Sequence, residues 1–349
     1  MKVKGSIKKH LARAAFLLLL VLSIRFLDRV LCVKSSKGID QARAMYYQPR
    51  NSIDVAMMGS SHIHCDIDTG ILWKNYGITS FDYSAAEQPL WCTYHYLREI
   101  CKYQDPKVVV LDLYACAQFK DDYQYTWLAE NLYGMRFSVN KLQMLYASCE
   151  PAYWSDYFPA FVSYHDRFSS LTKEDFLYPF TAPAQMRSFK GFTPYLDAEP
   201  QERPHLIETK SGGITVKSEQ YLLRIIEYTK AHDIELFLIV TPYITTSADE
   251  LVYNRIKEIA GDYDVQFSST NYDYDEIGLD FETDFYDGSH LNYWGALKFT
   301  EYLGKQLHER FTLQDHRGEA GYETWEENYQ EIAAYVAEQM AGSDDNDKD

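Results

Sequence analysis

The first strong strand signal in the sequence is Ile53-Asp54-Val55-Ala56-Met57-Met58, a short apolar run that ends at Gly59. The runs at residues 107–113 and 234–240 have the same character. Continuous apolar runs of this length, rich in β-branched residues, are typical of strands buried on both faces of a parallel sheet. Weaker strand candidates lie at residues 80–83 and 265–267. We therefore expect about five strands.

Helical patterns separate these runs. Apolar residues recur at helical spacing at residues 90–103, 218–231 and 248–259. The alternation of strand and helix predicts an α/β fold, a three-layer domain with a mostly parallel central sheet. Residues 116–215 interrupt the alternation after a strand's carboxyl end. We interpret them as a cap that faces a ligand site, or alternatively as a helical subdomain without a binding role.

The distribution of charge limits the class of partner. The 349-residue chain has 34 Lys and Arg against 51 Asp and Glu, a net charge of −17, which argues against a nucleic-acid partner. Residues 1–37 carry nine basic residues and one acidic residue, whereas residues 313–349 carry two basic and eleven acidic residues. We therefore predict a basic tip and membrane anchor at residues 1–37, a main domain at residues 38–312, and an acidic C-terminal helix at residues 313–349. Its last residues, 342–349, are predicted to be disordered.

The N-terminal segment has the pattern of an export signal. The apolar run at residues 14–24 follows five basic residues, which are Lys2, Lys4, Lys8, Lys9 and Arg13. This pattern predicts a single-pass transmembrane helix at the cell membrane, with the body of the protein outside the cytoplasm. The clean run is short for a span, which needs about 20 residues, and Arg25, Asp28 and Arg29 follow it. A cleaved export signal and a buried helix of the main domain are the alternatives.

A candidate nucleophile lies directly after the first predicted strand, in Gly59-Ser60-Ser61-His62. A serine at a sharp strand-to-helix turn can present its hydroxyl above the sheet edge. The alternative is an ordinary helix N-cap, which uses the same residue types.

A candidate acid and base lie near the end of the main domain, in Asp287-Gly288-Ser289-His290. In a turn, the carboxylate of Asp287 can accept a hydrogen bond from one imidazole nitrogen of His290 while the other nitrogen faces a nucleophile. The alternative is that Asp287 caps a turn and His290 fills a surface groove. Together, the two segments supply Ser, Asp and His in that order.

With these two motifs, the sequence resembles the SGNH, or GDSL-like, hydrolase superfamily over about residues 51–310. The resemblance implies a flavodoxin-like α/β domain in which Ser61 is the nucleophile, Asp287 the acid and His290 the base. It is closer to the membrane-anchored branch that includes the D-alanine transfer protein of teichoic-acid modification and the alginate O-acetylation proteins. That branch implies a cell-envelope glycan or other acylated polymer as substrate and a membrane-bound O-acyltransferase as a possible partner.

The oxyanion hole is where the sequence departs from the family. Family members use a glycine of the second block and an asparagine of the third, whereas the matching regions here contain Ser84 and Asp112. An ionised Asp112 could not donate a hydrogen bond, so the resemblance leaves the backbone amides of Ser61 and Ser84, with Gln88, as oxyanion-hole candidates.

Other polar clusters carry further hypotheses. The segment His62-Ile63-His64-Cys65-Asp66 offers metal-ligand atoms, so a metal-dependent hydrolase is an alternative function. We nevertheless predict no metal and no cofactor. His165, Arg167 and Asn292 are candidates for substrate binding. The six cysteines indicate no complete disulfide framework.

These observations predict a membrane-anchored, extracytoplasmic serine esterase or O-acyltransferase that acts on a cell-envelope polysaccharide through Ser61, His290 and Asp287. The alternative is a noncatalytic, SGNH-like glycan-binding or scaffold protein of an envelope-modification complex.

Overall fold

The computed structural model describes residues 2–120, 122–205 and 210–346, which form two compact units. Unit 1 consists of Met1–Lys34 and Glu150–Ala182, and unit 2 of Ser35–Cys149 and Pro183–Asp349. The predicted insertion at residues 116–215 is thus divided, because its middle part belongs to unit 1 and its two ends belong to unit 2.

A five-stranded parallel sheet forms the centre of unit 2. Its strands are β1 (Val55–Met58), β2 (Ser80–Asp82), β3 (Val108–Asp112), β4 (Glu235–Val240) and β5 (Gln266–Ser269). Their order across the sheet is β2-β1-β3-β4-β5, and every neighbouring pair is parallel. All residues of β1 and β3 are buried, as the continuous apolar runs predict. The prediction of an α/β fold with a parallel central sheet is confirmed.

Helices connect the strands of unit 2 and extend beyond them. They are α2 (Ile39–Met45), α3 (Ser61–Asp66), α4 (Thr69–Tyr76), α5 (Leu90–Ile100), α6 (Tyr114–Gln118), α7 (Leu128–Tyr133), α8 (Val139–Ser148), α12 (Ala184–Ser188), α13 (Val216–Ala231), α14 (Ser247–Asp262), α15 (Tyr274–Ile277), α16 (Tyr293–Arg310) and α17 (Glu323–Asn346). Side-chain caps begin several of them: the hydroxyl oxygen of Thr215 accepts from the amide of Ser218, and a carboxylate oxygen of Asp68 accepts from the amide of Gly70.

The main core of unit 2 lies between the sheet and two of these helices. Val55, Val110 and Phe237 from the strands pack with Leu72 of α4 and Leu303 of α16. Each of these side chains is at most 2% exposed. This packing fixes β1 and α16 relative to each other, which matters because the two predicted motifs lie beside these elements.

Unit 1 is built on α1 (Lys2–Leu31), together with α9 (Trp154–Tyr157), α10 (Ala160–Ser163) and α11 (Lys173–Leu177). The large apolar side chains of residues 16–22 are exposed. Near the end of α1, the backbone amide of Phe161 donates to Asp28 Oδ1 over 3.0 Å.

No helix in the described part of the chain is both long and apolar enough to cross a membrane. The predicted transmembrane helix is therefore not supported, since Arg25, Asp28 and Arg29 interrupt the apolar character of α1.

The C-terminal helix α17 packs through Trp325, Ile332 and Val336, which are all buried. Of the tail predicted to be disordered, residues 342–346 are the last residues of α17, and residues 347–349 lie outside the described residues. The six cysteines, all of which are described, form no disulfide.

Candidate active site

Ser61 is presented by the turn that leaves β1. Gly59 has φ = 149°, and a Cβ atom there would lie 2.9 Å from the Cβ of Asp112 at the end of β3. Only glycine lets the chain pass so close in this conformation. Ser60 is the extended N-cap residue, and Ser61 is the first residue of α3. The Ser61 side chain therefore lies at the carboxyl edge of the sheet and is only partly buried.

Asp287 and His290 are held by a tight turn before α16. Asp287 Oδ1 accepts from the backbone amides of Ser289 and His290, at 2.7 and 2.8 Å. The amide of Leu291 donates to Asp66 Oδ1 over 3.0 Å, which ties this turn to α3. The position of the turn relative to Ser61 is thus fixed by a hydrogen bond between backbone and side chain.

The structure brings the three predicted catalytic residues together. Ser61 Oγ lies 2.7 Å from His290 Nε2, and His290 Nδ1 lies 3.0 Å from Asp287 Oδ1. Burial raises the pKa of Asp287, but its hydrogen bonds with the His290 imidazole and with the turn amides outweigh burial and hold the pKa below its usual range. An ionised Asp287 favours the tautomer with a proton on His290 Nδ1, so that Nε2 can accept from Ser61.

A pocket of about 260 Å³ opens at these three residues within unit 2. Its other lining residues are Lys37, His64, Ala86, Glu87, Trp127, Tyr195 and Tyr286. The rings of Tyr195 and Tyr286 stack with centroids 4.1 Å apart, beside His290. Trp127 and Tyr195 belong to the parts of the predicted insertion that lie in unit 2. Of these lining residues, only His64 was singled out by the sequence, as a candidate metal ligand. For Trp127 and Tyr195, the only signal in the sequence was the high Tyr and Phe content of the insertion.

The predicted oxyanion-hole residues have different surroundings. The Ser84 hydroxyl lies 2.9 Å from His64 Nδ1. Gln88 is fully buried, and its side-chain amide donates to Thr93 Oγ1 in the first turn of α5. Gln88 is not among the residues that line the pocket. The structure therefore does not favour Gln88 as an oxyanion donor.

Asp112, at the position where the family has asparagine, holds the strand ends together. Its carboxylate accepts from the amide and hydroxyl of Thr241 and from the amide of Tyr114. Burial raises the pKa of Asp112 to about 6, although these hydrogen bonds oppose the rise.

The candidates for substrate binding are engaged in local structure. Asn292 is fully buried and caps α16: its side-chain oxygen accepts from the amides of Trp294 and Gly295, and its amide group donates to the carbonyl of Thr283. This use of all its polar atoms argues against substrate contact. In unit 1, Arg167 donates to the carbonyls of Leu31 and Cys32 and pairs with Asp175. The exposed His165 donates from Nδ1 to the carbonyl of Val162.

The residues of the alternative metal site point to separate partners. His62 Nδ1 lies 2.6 Å from Thr241 Oγ1, and its ring stacks on Tyr114, whereas His64 contacts Ser84. In a helix, neighbours two positions apart do not share a face. Within the described residues, no group of three or more His, Cys, Asp or Glu side chains is placed to hold a metal ion.

No protein-family model matches this chain, and no curated protein matches it either. Among solved structures, the chain is similar to the crystal structure of a candidate acylhydrolase from Bacteroides fragilis NCTC 9343, with a TM-score of 0.36 and 12% sequence identity. The match covers 77% of this chain and 95% of that chain. A likeness at this TM-score gives no support for a particular activity. The proposed function therefore rests on the geometry of the site.

Proposed function

We propose that this protein is a serine-dependent acyl-transfer enzyme, an esterase or O-acyltransferase of the SGNH-like kind. The observation that supports this most directly is the 2.7 Å contact between Ser61 Oγ and His290 Nε2, with Asp287 on the other imidazole nitrogen. A hydroxyl, an imidazole and a carboxylate in this order form a nucleophile, a general base and an orienting acid.

The reaction proceeds in two steps. His290 Nε2 takes the proton from Ser61 as its oxygen attacks the ester carbonyl, and the leaving alcohol receives that proton as the ester bond breaks. The acyl group is then bonded to Ser61. Water or a carbohydrate hydroxyl attacks this acyl-enzyme, gives its proton to His290, and releases Ser61 with its proton restored. Esterase and transferase differ only in the second acceptor.

A carbohydrate polymer of the cell envelope is the proposed acceptor or substrate. The stacked pair Tyr195–Tyr286 and the indole of Trp127 line the pocket beside Ser61. Aromatic faces of this kind pack against the apolar faces of sugar rings while polar edges hydrogen-bond the hydroxyls.

We also propose that the body lies outside the cytoplasmic membrane and meets a membrane-bound O-acyltransferase there. The exposed apolar residues 16–22 of α1, preceded by Lys8, Lys9 and Arg13, support contact with a lipid surface. Protease treatment of intact cells tests this placement: digestion of the body is expected, and protection of the body beside a digested external protein would contradict it.

The catalytic proposal is tested with the full-length chain and a p-nitrophenyl ester, with and without an acceptor glycan. We expect Ser61→Ala to lower kcat by about a thousand-fold or more and to abolish labelling by a fluorophosphonate probe. Ser60→Ala is the matched control, because the Ser60 hydroxyl has no hydrogen-bond partner among the described residues and lies one residue away in the same turn.

Two results would contradict the proposed enzymatic function. Full turnover by Ser61→Ala would remove Ser61 from the mechanism. Absence of both turnover and labelling in the unchanged protein, together with glycan binding, would instead favour the noncatalytic glycan-binding alternative.

A further inference from the structure

His64 is the one additional imidazole in the pocket of Ser61 and His290 among its lining residues. It lies three positions after Ser61 on α3, so the two side chains project from the same side of the helix. His64 is only 1% exposed. As a lining residue of the pocket, His64 nevertheless borders the space beside the proposed nucleophile.

One nitrogen of His64 is already engaged. His64 Nδ1 lies 2.9 Å from the hydroxyl oxygen of Ser84, which is fully buried just after β2. A hydroxyl can donate to an imidazole nitrogen only if that nitrogen lacks a proton. If Ser84 donates, the proton of a neutral His64 must be on Nε2, and the ring has one N–H donor left.

The surroundings keep this ring neutral. Burial lowers the pKa of His64 to about 3, and repulsion from Lys37, and from the His290 imidazole once it has taken a proton, acts in the same direction. His64 is therefore a poor proton acceptor at neutral pH. A neutral imidazole in a buried site can still donate a hydrogen bond, which is how an uncharged histidine polarises a carbonyl.

We propose that His64 is a catalytic residue that donates a hydrogen bond from Nε2 to the oxyanion formed when Ser61 attacks the acyl carbonyl, with Ser84 fixing the tautomer. This inference rests on the proposed acyl-transfer function. No proton leaves His64 in the step: the Ser61 proton moves to His290, the new bond joins Ser61 Oγ to the carbonyl carbon, and the carbonyl oxygen carries the negative charge. His64 thereby fills the role left open by Asp112, whose carboxylate accepts hydrogen bonds.

Substitutions at His64 and Ser84 distinguish hydrogen-bond donation by His64 from simple packing. We expect His64→Phe, which keeps a ring and removes the donor, to lower kcat on a p-nitrophenyl ester about 10²- to 10³-fold while KM changes less than about threefold. His64→Gln keeps an N–H donor and is expected to retain at least tenfold more kcat than His64→Phe. Ser84→Ala is expected to lower kcat about tenfold, because the tautomer is no longer fixed.

His95 supplies the matched control. It is also a buried histidine, 4% exposed, with burial lowering its pKa to about 4 and its Nδ1 bonded to Asn140. It lies on α5 and does not line the pocket. His95→Phe in the full-length chain is expected to leave kcat within about threefold of the unchanged protein, with thermal unfolding measured for every variant.

The outcomes separate this inference from the proposed function. If labelling and turnover depend on Ser61 but His64→Phe and His64→Gln have equal kcat, the donor role of His64 is wrong and the enzyme stands. If the unchanged protein shows no Ser61-dependent turnover or labelling, the proposed function fails and this inference fails with it. Should His64→Phe not fold, the other two variants decide. Unchanged kcat in both His64→Gln and Ser84→Ala would then contradict the proposal, because Ser84 would not be needed to fix the tautomer of His64.

Discussion

At the scale of single residues, the site depends on hydrogen bonds that give each polar atom a defined partner. Asp287 accepts hydrogen bonds from two turn amides and from the His290 imidazole. Asn292, five positions later, caps α16 with its side-chain oxygen and donates from its side-chain amide to the carbonyl of Thr283. The resemblance of the two motifs to the SGNH family predicted that Ser61, Asp287 and His290 would meet. It could not separate Asn292 or Gln88 from substrate-facing residues, because a cap and a ligand contact use the same side-chain chemistry.

Asp287→Asn tests whether the carboxylate orients His290. The asparagine oxygen can still accept from the turn amides, but its NH₂ group would face His290 Nδ1 and favour the tautomer with the proton on Nε2. That nitrogen could then no longer take the proton of Ser61. We expect kcat to fall about 10³- to 10⁴-fold with little change in thermal unfolding.

The exposed Asp275 is the control for this substitution, since it pairs with Arg203 on the surface. Asp275→Asn is expected to retain full kcat. An Asp287→Asn protein with normal kcat would show that His290 does not need the carboxylate.

At the scale of elements, continuous apolar runs predicted the three central strands β1, β3 and β4, since a strand covered by helices on both faces leaves little choice of residue. The two edge strands gave weaker signals, and the residues of β5 are exposed or only partly buried. Two separate short helices, α3 and α4, follow β1. Asp68 explains the break, because it caps α4. The pocket residues Lys37, Trp127 and Tyr195 come from three distant segments with no shared motif, so their meeting follows from tertiary packing alone.

Asp68 also makes a pH-dependent contribution to stability. Burial raises the pKa of this carboxyl to about 7, although the amides of Gly70 and Ile71 oppose the rise. Within the part of the chain that the structure describes, Asp68 Oδ2 has no hydrogen-bond partner. Below about pH 4 the group is protonated in both the folded and the unfolded chain. As pH rises to about 7, only the unfolded chain gives up its proton readily, so this contribution to stability is lost.

Asp68→Asn keeps an oxygen for the cap and removes the titration. We expect the free energy of unfolding of this variant, relative to the unchanged protein, to increase by ~2 kcal/mol or more between pH 4.5 and pH 8. Urea unfolding at both pH values measures the difference. A difference that stays constant with pH would mean that Asp68 does not titrate abnormally.

At the scale of the whole unit 2, the C-terminal segment is fastened to the edge of the sheet opposite the site. His316, in the connection between α16 and α17, contacts Asp54 just before β1 through Nε2 and Glu319 through Nδ1, both at 2.8 Å. Its ring stacks on Tyr322. Trp325 of α17 is fully buried and donates to the carbonyl of Ser80. An imidazolium between two carboxylates therefore helps to hold α17 against the sheet.

The attachment of α17 to the sheet through His316 is expected to weaken as pH rises. Burial lowers the pKa of His316, but the carboxylates of Glu319 and Asp54 outweigh burial and raise it above its usual value. A raised histidine pKa gives stability that is fully present below about pH 6.5 and is lost as pH rises through the folded-state pKa.

His316→Gln is thus expected to lower the unfolding midpoint at pH 5.5 and to have a smaller effect at pH 9. Limited proteolysis at both pH values should show earlier cleavage near α17 at pH 5.5 in the variant, whereas His232→Gln, at an exposed histidine, should not. An equal effect of His316→Gln at both pH values would mean that His316 acts by packing on Tyr322, without its charge.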